Sequence, residues 1–565
     1  MNTRNLKLAA MALLTFATLL PTTAQTLKIE PLANDNHLIR IAPDTREKFL
    51  LLPIEEAAPE AQMKVVVNNV QQRVLHVRLA LTKVDYYVPF ELDEFRGKHL
   101  VIYTHLNIDH SNRGGLGSEI CFKNMKLSNV FDFSKDEAFR PTFHHTPAYA
   151  WMNDPNGMFY KDGEWHLYYQ YGPYGNMWNN MTWGHSVSKD LINWEHRPNA
   201  ILPDAHGAIF SGSCIVDKNN TAGFGNDAII AMYTSAGDVQ TQSIAYSTDN
   251  GSTFHVYEGN PVLTADIPDF RDPNMLWHEA TQRWVLVMSA GQEMRIYSSP
   301  DMKNWTEESR FGKELGCHDG VWECPDLFKC KVRDAKGKET DTERWVLFCN
   351  INPGGPAGGS ATQYFIGDFD GHKFTVDDPS RYTGKALWQD YGKDHYAAVS
   401  FSNAPDGRHT MVAWMSNWQY ANVVPTKHFR SSNTICREPF LFMGKDKQLY
   451  LGSMPSPEYD GKGLDKTVKI KGSCTVTLSN DEGEELRLIY DQKAMTLTAD
   501  RSKSGETGFS QDFDVNATAP VVNKLTSMRI FIDNSSVEVF GNNGEVCITS
   551  LVFPKSKYNQ LTINN

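Results

Sequence analysis

The stretch from about residue 141 to 435 repeats itself, and few folds accommodate the pattern. "DPNGMFYKDGEWHLYYQY" begins at Asp154, "DPNMLWHEATQRWVLVMSA" at Asp272 and "CPDLFKCKVRDAKGKETDTERWVLFCN" at Cys324. Each has a proline, then Asn or Asp, an apolar strand, a polar turn and a second strand holding a tryptophan. Weaker copies start at Phe210 ("FSGSCIVDKNNTAGFGNDAIIAMYTSA") and Asp390 ("DYGKDHYAAVSFSNAPDGRHTMVAWMSNW"). A second signature follows several of these hairpins: "HSVSKDLINWEH", "AYSTDNGSTFHV", "IYSSPDMKNWTEE" and "YFIGDFDGHKFTVDD". Period-two alternation and frequent Gly, Asn and Asp turns exclude helical repeats. Five units of about 50–70 residues, each worth about four strands, predict a five-bladed β-propeller.

The flanks are also β-rich but do not repeat. From Leu27 to about Phe133 runs such as "MKVVVNNVQQRVLHVRLALTKVDYYVPFEL" alternate, which predicts a small β-sandwich with no cluster of acids, histidines or cysteines. Short alternating strands return from about residue 440, as in "SSVEVFGNNGEVCITSLVFP", and predict a second sandwich. At the N-terminus Arg4 and Lys7 precede an apolar stretch from Leu8 to Leu20 and the small residues Thr22-Thr23-Ala24. That is the pattern of a secretory signal, so a periplasmic or secreted protein is expected. No cysteine follows the apolar stretch to take a lipid, and no other run reaches the roughly 18 apolar residues of a membrane span. The reading is an all-β chain: signal peptide 1–24, accessory β-sandwich 25–135, five-bladed propeller 136–438 and C-terminal β-sandwich 439–565.

A formal charge of −12 and the lack of any lysine or arginine run disfavour nucleic acid and anionic membranes as partners. The nine cysteines are scattered without a C-x-x-C pair, so neither a disulfide framework nor a zinc site is signalled, and most read as small buried hydrophobes. His144 and His145 are expected on opposite faces of a strand, which would keep them from sharing a metal. The charged "KVRDAKGKETDTER" (331–344) reads as a solvated hairpin loop.

In a propeller the first strand of each blade lines the central channel, so the repeat openings converge there. Three open at or beside an acid: Asp154, Asp272 and Glu323. Prolines 155, 273 and 325 limit the backbone beside them. Such crowding should raise at least one carboxyl pKa. Convergent acids without histidines suit either hard-oxygen metal binding or glycoside hydrolysis. The surroundings favour sugar: Trp151, Trp178, Phe210, Trp322 and Trp418 could stack on sugar faces, and Asn153, Gln170, Ser211 and Arg271 could bond hydroxyls. No metal site is expected.

"WMNDPNG" (151–157), "YYQY" (168–171), "FSGS" (210–213), "RDP" (271–273) and "ECPDLF" (323–328) occur in the order found in glycoside hydrolase family 32, the invertases, inulinases and levanases. The chain resembles that family from about Arg140 onward, through "WGHSVSKDLINWE", "NPGGPAGGS" and "WMSNWQYANVVPT". Its N-terminal module resembles one that precedes the catalytic domain in Bacteroidetes members. The resemblance implies a five-bladed propeller followed by a β-sandwich, with no cofactor. It makes Asp154 the nucleophile, Glu323 the general acid/base, protonated at rest, and Asp272 the stabiliser of the transition state. Asn153, Gln170, Trp178, Phe210, Ser211, Arg271 and Trp418 would surround the terminal fructosyl unit. The implied activity is retaining hydrolysis of terminal β-D-fructofuranosyl units of inulin, levan or sucrose by a monomer or weak oligomer. Endo-action and fructosyl transfer stay open, while the presence of all three acids argues against a non-catalytic glycan-binding propeller. Three departures stand out: Ala150 where a glycine is common, Cys317 for a frequent alanine, and "CREPFLF" (436–442), expected at the pocket rim with a bearing on substrate choice.

Overall fold

The computed structural model describes residues 26–32, 34–108, 120–133 and 137–564. The signal peptide read from residues 1–24 lies outside them. Among the described residues, no helix is long and apolar enough to cross a membrane.

The repeats form a five-bladed propeller. Its five innermost strands are Ala150–Lys161, Ala208–Asp217, Phe270–His278, Val321–Arg333 and Tyr396–Ser400. Each packs beside the next, and the fifth returns to the first. From each of the first four, antiparallel neighbours run outward. Alternation gives way here to nearly continuous burial, as in Glu164–Gly172 and Ala228–Ala236, because blades pack on both faces of each sheet. Closure joins distant sequence: Phe429–Arg430 pairs in parallel with Ala150–Trp151, and Ser402 exchanges backbone hydrogen bonds with Met158 and Tyr160. Blades four and five fuse into one sheet, because Val332–Arg333 pairs in parallel with Leu441–Phe442. The charged 331–344 segment is therefore mostly strand, with only 334–338 as its turn, so the expected solvated loop is much shorter. The strand Arg437–Met443 belongs to this sheet and runs across residue 438.

Every innermost strand carries a β-bulge at one height. Two residues face one on the neighbouring strand at Asn153–Asp154 (opposite Gln170), Phe210–Ser211 (Thr234), Asp272–Pro273 (Met288), Cys324–Pro325 (Cys349) and Ala397–Ala398 (Ala413). A bulge bends its strand and re-aims the extra side chain. A proline fits there because the bulged residue owes no ladder hydrogen bond. Asp272, Cys324 and Ala397 take left-handed φ values of 63°, 41° and 54°, which the surrounding sheets must enforce. Ala150, at φ 62°, explains why glycine is common at its position: only glycine adopts that conformation without steric cost.

Two sheets make the C-terminal sandwich. One runs Asp465–Lys469, Ser527–Ile532, Ser536–Gly541, Val546–Leu551; the other runs Ala517–Pro520, Thr496–Lys503, Glu485–Asp491, Cys474–Ser479, Gln560–Asn564. Val476, Leu488, Leu497, Ile530, Val539 and Ile548 fill the space between them. The N-terminal module is likewise two-layered, with a five-stranded sheet against Phe49–Ile54, Tyr86–Glu91 and Lys126–Ser128. All nine cysteines are unbridged, and only Cys317 is not fully buried.

Propeller and sandwich are locked by buried charge. Arg437 donates to Asp390 Oδ2 (2.8 Å), to Glu538 and to Thr549, and Arg501 donates to Asp394 Oδ2 (2.6 Å). The backbone approaches closely at this junction, since a Cβ on Gly392 would lie 2.0 Å from the Thr549 carbonyl oxygen. "CREPFLF" thus places Arg437 at a domain junction and not at the pocket rim: a buried guanidinium needs several acceptors, which the facing sandwich supplies.

His144 and His145 lie in no strand, which corrects their expected placement. His144 donates from Nδ1 to Asp533 Oδ2 and from Nε2 to Glu538 Oε1, each at 2.8 Å, whereas His145 meets Ser186 and Asn433. Burial opposes charge on His144, but hydrogen bonds to the two carboxylates, and their charge, raise its pKa from 6.5 to about 9. Burial opposes charge on Asp533 and Glu538 too, yet their cationic partners hold both below the usual carboxylate range. The raised histidine stabilises fully below about pH 6.5 and loses its contribution as pH climbs through about 9. The depressed carboxylates stabilise above their ordinary values of 3.8 and 4.5 and lose their contribution in stronger acid. Thermal unfolding between pH 6 and 9.5 should show Tm falling with pH, and His144→Gln should flatten the slope. A parallel slope in that variant would assign the dependence elsewhere.

Candidate active site

The ring of bulges builds the site. Asp154 lies in the first bulge and Asp272 in the third, while Glu323 immediately precedes the fourth. The Cys324 thiol joins two of them, lying 3.5 Å from Asp154 Oδ2 and 3.6 Å from Asp272 Oδ2, and its backbone N–H donates to Asp272 Oδ2 at 3.0 Å. Arg271 donates from Nε (3.1 Å) and from a terminal nitrogen (2.8 Å) to Glu323 Oε1, and is itself held by Asp269 Oδ1 at 2.5 Å. The Tyr396 hydroxyl, from the fifth blade, donates to Glu323 Oε2. Asp154 accepts from Asn153 Nδ2 (3.0 Å) and Ser211 Oγ (2.9 Å). Five blades thus contribute to one polar cluster.

Its electrostatics follow from burial and crowding of like charges. Burial first, then the charge of Glu323, push the Asp154 pKa upward against the hydrogen bonds from Asn153, Ser211 and Cys324. Burial raises Asp272 to about 7; Arg271 opposes that shift, and Glu323 and Asp154 add to it. Crowding thus raises the two acids beside Glu323, Asp154 and Asp272. Among the described residues no group of three or more His, Cys, Asp and Glu is arranged to hold a metal ion.

The expected contacts divide into exposed and enclosed groups. Trp178 is 41% exposed and meets Phe210 edge to face at 5.9 Å. Partly buried Trp418 stacks on Trp151 at 5.7 Å. Ser211 and Arg271 touch the acids as described. Gln170 is buried, and its amide donates to Asn156 Oδ1 at 3.1 Å. Trp151 and Trp322 offer no sugar face, since both are fully enclosed. Trp151 donates from Nε1 to Asn153 Oδ1 (2.8 Å), steering the amide that meets Asp154, and Trp322 stacks on His318 at 4.9 Å. Sequence reasoning missed Tyr396 and the Cys324 thiol. The fifth repeat offered a signal, because Tyr396 occupies there the register position that Glu323 holds in the fourth. Farther along the same strands lies a separate cavity of about 930 Å³, walled by Met158, Met275, Phe328, Trp345 and Phe401, which none of the three acids lines.

Comparison with known proteins agrees with this fold. Residues 144–453 match the glycosyl hydrolases family 32 N-terminal domain, residues 456–565 the family 32 C-terminal domain, and residues 33–143 a domain of unknown function, DUF4980. A levanase of Bacillus subtilis is 43% identical over 460 residues, covering 74% of this chain and 67% of its own. The extracellular exo-inulinase inuE of Aspergillus niger is 36% identical over 495 residues, covering 75% and 91%. The crystal structure of an exo-inulinase from Aspergillus awamori superposes with a TM-score of 0.70 at 32% identity, covering 77% of this chain and 96% of that one.

Proposed function

The chain belongs to glycosyl hydrolase family 32, and on that premise we propose that it is an exported, retaining β-fructosidase that removes terminal β-D-fructofuranosyl units from fructans and from sucrose. The observation that carries this reading is the joining of Asp154, Asp272 and Glu323 through Cys324 and Arg271 at one height of the channel. Asp154, fixed by Asn153 and Ser211, attacks the anomeric carbon of the fructosyl unit. Glu323, oriented by Arg271 and Tyr396, gives its proton to the departing glycosidic oxygen. The resulting fructosyl–Asp154 ester is cleaved by water, whose proton returns to Glu323, so configuration is retained. Asp272 accepts hydrogen bonds from ring hydroxyls, an interaction that strengthens as positive charge develops on the ring. Exposed Trp178 and half-buried Trp418 give the sugar its apolar contact, and Asn153, Gln170, Phe210, Ser211 and Arg271 complete the pocket.

Relatives named levanase and extracellular exo-inulinase support the substrate class and the export. We assign an accessory sandwich at 25–135, a propeller from 136 whose last sheet runs past 438 to Pro455, and a C-terminal sandwich after it, behind a cleaved signal at 1–24, with a monomer or weak oligomer in solution. Short digestions of inulin, levan, sucrose and arabinan test the reading. Fructose should be the sole early product from both fructans, and sucrose should yield fructose and glucose. An oligosaccharide ladder would replace exo- by endo-action, and arabinose alone would refute the assignment.

A further inference from the structure

The segment 173–181, "PYGNMWNNM", links the strands ending at Gly172 and starting at Thr182 and contains no regular structure. It carries Trp178, the most exposed aromatic at the pocket. With one glycine and three asparagines it has little intrinsic stiffness. Its ordering comes from two sides, the N-terminal module and the propeller, where the Lys427 carbonyl accepts from Asn176 Nδ2 at 2.6 Å.

The N-terminal module grips it from one side. The Tyr86 hydroxyl accepts from the Asn176 backbone N–H at 3.0 Å, Glu56 Oε1 accepts from Asn176 Nδ2 at 3.0 Å, and Glu60 Oε2 accepts from Asn179 Nδ2 at 2.9 Å. Asn180 exchanges two hydrogen bonds with the His76 backbone, at 2.8 and 2.7 Å. The Tyr174 ring packs into the module core beside Phe90. The other side of the loop faces the site. The Gly175 carbonyl accepts from the Trp151 N–H at 3.1 Å, three residues before Asp154. The Trp178 N–H donates to Asn422 Oδ1 at 3.4 Å, and its ring meets Phe210, next to Ser211 on Asp154.

We propose that the N-terminal module is a positioning element for the pocket rim: Glu56, Glu60, Tyr86 and the His76 backbone hold the 173–181 loop so that Trp178 is preset to receive the terminal sugar. This rests on the reading of Trp178 as a sugar contact. An unanchored loop would have to be ordered by the substrate at the moment of binding, so the module's grip appears as affinity and not as turnover. Tyr86, Glu56 and Glu60 never reach the sugar; they act through the loop.

The test uses the full-length protein carrying Glu60→Ala with Tyr86→Phe, which removes two acceptors. KM for short inulin oligosaccharides should rise about tenfold, the worth of one or two net hydrogen bonds, with kcat within about twofold. Hydrogen exchange should show lost protection in 173–181 and unchanged protection in Ala208–Asp217. Trp178→Ala should raise KM comparably, and adding it to the module variant should raise KM no further, the non-additivity of residues that act as one unit. Glu60→Gln, which keeps an acceptor oxygen, should retain most of the parent KM. Additive effects, an unchanged KM, or lowered thermal stability with an intact exchange pattern would overturn the proposal. If the parent releases no fructose, the functional reading fails, and exchange in 173–181 still decides whether the module holds the loop.

Discussion

Asp154→Asn is expected to lower kcat by about four orders of magnitude, the scale of removing a covalent nucleophile, with the fold intact. The amide can keep the contacts with Asn153 and Ser211 but cannot form the ester. Glu323→Gln should cost about 10²–10⁴-fold, as for a lost general acid, and less on substrates with a good leaving group that needs no proton. Asp154→Asn should be no less stable than the parent, whereas Glu323→Gln loses the charge that partners Arg271 and should be slightly less stable. Asp154 and Asp272 have raised pKa values in the fold, so their contribution is favourable in acid and is lost as pH rises through those values, about 7 for Asp272. Near neutrality the ionised cluster is therefore a cost, and Asp272→Asn should raise Tm while abolishing activity, a local case of stability surrendered for function. Steady-state kinetics beside calorimetry checks both halves. Parent-like activity in Asp154→Asn or Glu323→Gln would refute the assigned roles.

Glu538→Ala should have the largest effect on stability. The carboxylate is fully buried and serves Arg437, His144 and the Ile435 N–H together. Its removal leaves one guanidinium with only Asp390 and Thr549, and one imidazolium with only Asp533. Breaking a buried ion pair from one side costs about 3–5 kcal/mol because the remaining charge stays dehydrated. In a chain of this size Tm should fall by about 3–4 °C. Asp390 lies six residues before Tyr396, so the loosened junction should also reach the orientation of Glu323 and lower kcat modestly. Thermal unfolding of Glu538→Ala beside Glu538→Gln measures this. A Tm within about 2 °C of the parent would show that water or rearrangement satisfies Arg437.

Much of the site was legible because its chemistry is local in sequence. Asp-Pro at 154–155 and 272–273 and Glu-Cys-Pro at 323–325 mark the openings of blades, and the same opening in several blades implies a common place in the channel. The remainder was not legible because burial and aim are set across blades. Trp151, Trp178, Trp322 and Trp418 look alike as tryptophans near repeat openings, yet two are fully enclosed and two keep exposed ring surface. Tyr396 looked like one more strand aromatic until the fifth blade brought its hydroxyl to Glu323. His144 gave no sign of Asp533 and Glu538, nearly four hundred residues away.

By itself the sequence determined the repeat, the all-β character and the three acids, since alternation, turn residues and prolines act on the backbone within a few residues of themselves. The tertiary structure alone decided the ring of bulges, the buried lock around Arg437 and the grip of the N-terminal module on Trp178. Each depends on surfaces that meet only after Phe429 has paired with Ala150 to close the propeller, or after a flanking module has docked on it. A side chain's solvent, partners and pKa are properties of that closed assembly, and no local stretch of the chain contains them.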